Sequence, residues 1–157
     1  MLQPLALIFK LNNNLIARSL EGLSDEDVWR QPSGSGNPIG WILGHLTETR
    51  AGMLTEMGMP FDCGWSRAFQ RGSMLQDRTG YPARAAIEIA WKATHASMRD
   101  AFAHVTDDRL TRQVSRRPVP GVENLIDLIA FCGFHESYHV GQIGFIRKQL
   151  GHPSIAG

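Results

Sequence analysis

The chain has 157 residues, 43% of them hydrophobic and 20% charged, which suits one domain, residues 1–157, with an ordinary core. Sixteen Lys and Arg nearly cancel fifteen Asp and Glu to leave a net charge of +1, so no polyanion-binding surface is expected and nucleic acid is not an expected partner. Cys63 and Cys132 are the only cysteines, too few for a disulfide framework and suited to a reducing cytoplasm.

Leu5, Ile8, Leu11 or Leu15, Ile16 and Leu20 recur with helical period and predict a first helix from about Pro4 to about Glu21, ended by Gly22. The apolar stretch Leu5 to Leu11 lacks a basic leader, is interrupted by Lys10 and runs into Asn12-Asn13-Asn14. It reads as that helix and not as a signal peptide. Asn37-Pro38 opens a second helix, with Asn37 as the expected cap and Pro38 in the first turn. Its stripe of Ile39, Ile42, Leu43, Leu46, Met53, Leu54 and Met57 is stopped by Gly58 and Pro60.

The stretch from Gly58 to Gly80 has no clean period and is longer than a compact bundle needs, which marks it as a candidate functional loop. Tyr81-Pro82 opens a third helix carrying Ile87, Trp91, Met98, Phe102 and Val105. A second long connection follows from about Thr106 to Val122. The last helix runs from about Glu123 to Leu150 and closes on Gly151. No alternating strand is evident and no apolar segment reaches membrane-spanning length. The expected fold is all-α, a four-helix bundle with long connections after helices 2 and 3. Leu23-Ser24-Asp25-Glu26 and Val105-Thr106-Asp107-Asp108 echo each other, either as a weak internal repeat or as two caps of short helical turns.

The most informative motif is His135-Glu136-Ser137-Tyr138-His139 in the last helix. Histidines four apart share one helix face, here predicted to be the apolar stripe where core leucines would otherwise sit. A divalent metal satisfies one nitrogen of each ring while a neighbouring acceptor takes the other. His45, on the second helix, completes three nitrogens and leaves further coordination positions open, the arrangement of a reactive metal centre. Glu48, three residues on, is placed to hold a ligand histidine, to act as a base, or to pair with Arg50 on the surface. Cys132 precedes His135 by three and is either a thiolate ligand or a small buried hydrophobe. His95 is a further inward-facing candidate, whereas His104 and His152 lie where solvated histidines are normal.

His135-Glu136-x-x-His139 also matches the helix of zinc proteases. The continuation departs from that class, with Gln142 and Phe145 where the metzincin extension has Gly and His, and no acidic residue after Glu136 to serve as a ligand. Glu136 is therefore expected to point away from the site. Arg67, Arg71, Arg116 and Arg117 form two basic spots in the connections, either solvated charge or a seat for an anionic small molecule.

Pro38-Ile39-Gly40-Trp41-Ile42-Leu43-Gly44-His45-Leu46, then His135-x-x-x-His139-x-Gly141-Gln142-Ile143, then Arg147-x-x-Leu150-Gly151 resemble the DinB-like superfamily of four-helix-bundle metalloproteins over essentially the full chain. The superfamily includes bacillithiol- and mycothiol-dependent transferases. The resemblance implies an up-down-down-up winding, with His45, His135 and His139 as ligands of one divalent ion, commonly zinc or nickel, in an open pocket. It also implies a homodimer and a low-molecular-weight thiol as cosubstrate. Arg67, Arg71 and Arg147 are candidates to meet its carboxylates. The expected activity is metal-dependent thiol transfer to a small-molecule electrophile in the cytoplasm. A metallohydrolase and a non-catalytic metal- or ligand-binding stress-response module are the alternatives.

Overall fold

The computed structural model describes residues 2–32, 36–65, 68–70, 72–73 and 78–155. Arg67 and Arg71 lie outside them. Among the described residues the fold is all-helical. It comprises α1 (Gln3–Leu20), α2 (Asp25–Trp29), α3 (Ile39–Glu56), α4 (Arg84–His104), α5 (Asp107–Leu110) and α6 (Leu125–Gln149), with a 3-10 turn at Arg78–Gly80. The nearest approach to a strand is an isolated bridge between Gln113 and Asn124. Among the described residues no helix is long and apolar enough to cross a membrane.

The four long helices begin within a few residues of their predicted starts, but for partly different reasons. Pro38 is the cap residue of α3 and no side chain caps that end, so Asn37 does not act as expected. Asn124 does cap α6: its side chain accepts from the Asp127 amide at 3.0 Å, and Asp127 takes the Asn124 amide at 3.2 Å. The two echoing segments become α2 and α5, in which Ser24 and Thr106 accept the Asp27 and Arg109 amides. Each side-chain oxygen satisfies a donor that one or two helical turns would otherwise leave orphaned.

In the packing, α3 lies against α4 and α6, and α1 lies against α6 and α4. The core divides into two apolar clusters. One is built around Ile39, Leu43, Ile87 and Ile143, the other around Phe9, Met53, Met98 and Leu128. Between them runs a polar layer. Arg50 and Glu136, 1% and 2% exposed, join through two bonds of 2.8 Å, and the Arg50 guanidinium lies 3.4 Å over the Trp91 ring. In the same layer Asn12 donates to Ser137 Oγ at 3.0 Å, so α1, α3, α4 and α6 are stitched at mid-height. Arg50 thus pairs with Glu136 and not with Glu48, and Arg147, a candidate above for the carboxylates of a thiol, is a buried tie that donates to the Ser19, Glu21 and Pro153 carbonyls. His152 is likewise tethered, 3.4 Å from the Asp27 carboxylate.

Candidate metal centre

The polar layer reaches solvent where α3 faces α6. His45 Nε2 stands 3.2 Å from His135 Nε2, and His139 Nε2 stands 3.1 Å from the same atom. All three ligand atoms lie within 4.8 Å of one another. The histidines are half-buried at the rim of the core face, while Glu136 occupies its centre. This corrects the predicted stripe, which put the imidazoles in leucine positions. It also disposes of the protease reading, because the carboxylate that would serve as base is turned into the protein and bound to Arg50.

The ring orientations are fixed by partners outside the cluster. His45 Nδ1 lies 2.8 Å from the Phe69 carbonyl, which only accepts, so Nδ1 carries the proton and Nε2 turns a lone pair inward. His139 Nδ1 lies 2.6 Å from Gln142 Oε1, and the Gln142 amide donates in turn to the Tyr138 hydroxyl at 3.1 Å. Aromatic rings back each imidazole: Trp41 stacks on His45 with centroids 5.1 Å apart, Phe131 on His135 at 5.7 Å, and Tyr138 stands edge-on to His139 at 5.3 Å.

Burial lowers the His139 pKa to about 4, helped by the nearby His45 charge and opposed by the Gln142 bond. His45 is lowered by burial, with the Phe69 carbonyl opposing and Arg116 assisting. Convergent lone pairs on rings that resist protonation are the donor set a divalent cation requires. These three residues fit such an ion.

Phe69 is held from two sides. Its amide donates to Glu48 Oε1 at 3.3 Å, and its ring fills a notch at Gly44, where an added Cβ would lie 2.5 Å from ring carbons. Glu48 thus reaches His45 through the main chain of Phe69, whose amide and carbonyl serve one partner each. Burial raises the Glu48 pKa, and the loop amides and Arg116 oppose that rise. Cys132 is buried in the lower apolar cluster and is not part of the histidine group. His95 lies on α4 and is likewise outside it.

A cleft of about 560 Å³ is lined by all three histidines together with Trp41, Thr49 and Arg116. A neighbouring cleft of about 590 Å³ shares His45, Thr49 and Arg116 and adds Glu48 and Cys63. The spacing of His139 and Gln142 was legible in the sequence as one turn of helix. The Phe69 carbonyl was not, because a backbone acceptor carries no residue signature.

No curated protein matches the chain. A family profile described as the DinB superfamily matches residues 9–143, a span that begins in α1, ends in α6 and includes all three histidines. With that match over most of its length and the histidine cluster at the α3–α6 junction, the chain belongs to the DinB superfamily.

Proposed function

We propose that this protein is a divalent-metal-dependent enzyme of the thiol-transferase type, conjugating a low-molecular-weight thiol to a small electrophile. The observation that carries the reading is the convergence of three imidazole Nε2 atoms in a cleft open to solvent, since three protein donors leave positions for an exogenous ligand. His45, His135 and His139 would hold the ion, with zinc or nickel suited to imidazole donors. When bound, it supplies a Lewis acid that lowers the pKa of a thiol or water presented to it.

The chain's own residues then divide the remaining work. Phe69 and Gln142 keep the His45 and His139 rings in the tautomers that face inward. Trp41 and Phe131 stack on the His45 and His135 rings and brace their planes. Glu48, with its pKa raised by burial and its side chain on the wall of the neighbouring cleft that shares His45, is the group we assign as proton acceptor for the incoming nucleophile.

Further parts of the reading have separate support. Contacts that advance together along α1 and α6, from Asn12 with Ser137 to Ser19 with Arg147, favour the up-down-down-up winding. Exposed Phe134, Tyr138 and Phe145 on α6 favour a homodimer. Free Cys63 and Cys132 favour a reducing cytoplasm.

The test is to load the protein with zinc or nickel and assay thiol conjugation to alkylating electrophiles beside ester and amide hydrolysis. Thiol-dependent turnover that falls about a hundredfold in Glu48→Gln, with metal content kept, is the expected result. Turnover that needs no thiol would make the protein a metallohydrolase. Metal binding without either reaction would make it a non-catalytic binding module.

A further inference from the structure

One cation that lines both clefts, Arg116, has no task in the proposed reaction. Arg116 sits in the connection between α5 and α6, and its backbone is pinned where its amide and that of Ser115 both donate to Glu56 Oε1 at 3.1 Å. The Ser115 hydroxyl joins the same oxygen. One turn back along α3, Arg116 Nη1 occupies the space that a Cβ on Gly52 would fill. The guanidinium is therefore laid against bare helix backbone, and any larger residue at 52 would evict it.

The same face of α3 continues from Gly52 through Thr49 and Glu48 to His45, positions spaced at one and two helical turns. Thr49 and Arg116 line both clefts, as His45 does, so the guanidinium and the histidine cluster border the same groove. The acidic groups nearby are committed elsewhere: Glu48 to the Phe69 amide, Asp62 to the Gly64 amide at 2.8 Å, and Glu56 to the Ser115 and Arg116 amides. Among the described residues no carboxylate forms an ion pair with Arg116. A planar fork of donors seated against the helix and without a carboxylate of its own is matched by a carboxylate, which such a fork binds through two parallel bonds.

We propose that Arg116, seated over Gly52, is the specificity-determining residue that receives a carboxylate on the substrate, about 10 Å along α3 from the histidine cluster. This rests on the small-molecule reading of the cleft given above and names the substrate class: a thiol or electrophile with an anionic end several bonds from its reacting atom. The separation acts as a ruler, since Gly52 follows His45 by seven residues, about two turns of α3.

The test uses the full-length zinc-loaded protein and calorimetric binding of two matched thiols, ω-mercaptooctanoate and ω-mercaptooctanol. The wild type should bind the carboxylate about tenfold more tightly than the alcohol. Arg116→Gln and Gly52→Ala should each erase that preference while leaving the alcohol's affinity unchanged. Gly52→Ala is helix-favouring, so its folding is not at risk, and Arg116→Lys should restore only part of the preference. A preference that survives both substitutions, or equal weakening of the two thiols, overturns the assignment. Binding is read without turnover, so the two readings fail separately. A preserved preference without conjugation removes the transferase reading alone, and conjugation without preference removes this one alone.

Discussion

Glu136 sits between His135 and His139 in sequence and meets Arg50 through two bonds of 2.8 Å, with both side chains almost wholly out of solvent. Burial raises the Glu136 pKa against the opposing pull of the guanidinium. Removing one partner strands a buried charge, so Glu136→Ala should cost about 3–5 kcal/mol in denaturant unfolding. The paired replacement Arg50→Met with Glu136→Leu should recover most of that loss. A Glu136→Ala variant as stable as the wild type would mean that the pair does not hold the polar layer together.

Removing a ligand should act on the ion and spare the fold. His139 is half-buried at the rim, and α6 keeps its capping box and apolar face without it. His139→Ala should lose nearly all bound metal by elemental analysis of untagged protein while its far-ultraviolet circular dichroism stays at the wild-type level. Retained metal in that variant would break the three-histidine assignment.

Gly44 is needed for its missing side chain. An added Cβ would press on the Phe69 ring at 2.5 Å, and Phe69 supplies the carbonyl that orients His45. Gly44→Ala should therefore destabilise the protein by about 1–3 kcal/mol through overpacking and weaken metal affinity about tenfold or more through the lost acceptor. Competition with a fluorescent chelator measures the second effect. An unchanged affinity would show that the Phe69 carbonyl does not matter to His45.

The cysteines should be inert in the folded state. Burial pushes the Cys132 thiol from 9.0 up to about 12, with Glu136 adding to the rise and Arg116 opposing it. Cys63 is pushed up to about 11 by burial and by the Glu48 and Asp62 charges. Thiolate is the reactive form, so iodoacetamide at pH 8 should modify neither residue at the rate of a free thiol. The sign for stability follows. Unfolded thiols ionise from about pH 9 while folded ones stay protonated, so the folded state holds more protons and stability falls as pH rises from there toward 12. Rapid labelling of Cys132 in the native protein, read by mass spectrometry, would contradict its burial.

Much of this site can be read from residue order, because helical period and ring spacing are local properties. The i, i+4 spacing of His135 and His139 puts both rings on one face whatever surrounds the helix, and Pro38 and Gly151 bracket the second and last helices through backbone chemistry alone. Finer placement depended on the competition for the middle of that face. Burial of Glu136 at its centre moved the histidines to the rim, and no rule of periodicity anticipates a carboxylate in a core position. Similarly, Arg147 and Arg50 look like surface charge in sequence because arginine usually is. Each is buried here because acceptors from distant segments converge on it.

The sequence by itself determined the helices, their approximate ends and the three histidines, since these follow from interactions within a few residues along the chain. Only the tertiary structure decided that His45 meets the other two, that Glu136 belongs to Arg50, that the Phe69 carbonyl aims an imidazole, and that Gly52 makes room for Arg116. Those relationships join residues many positions apart, and their energies exist only once packing has brought the helices together.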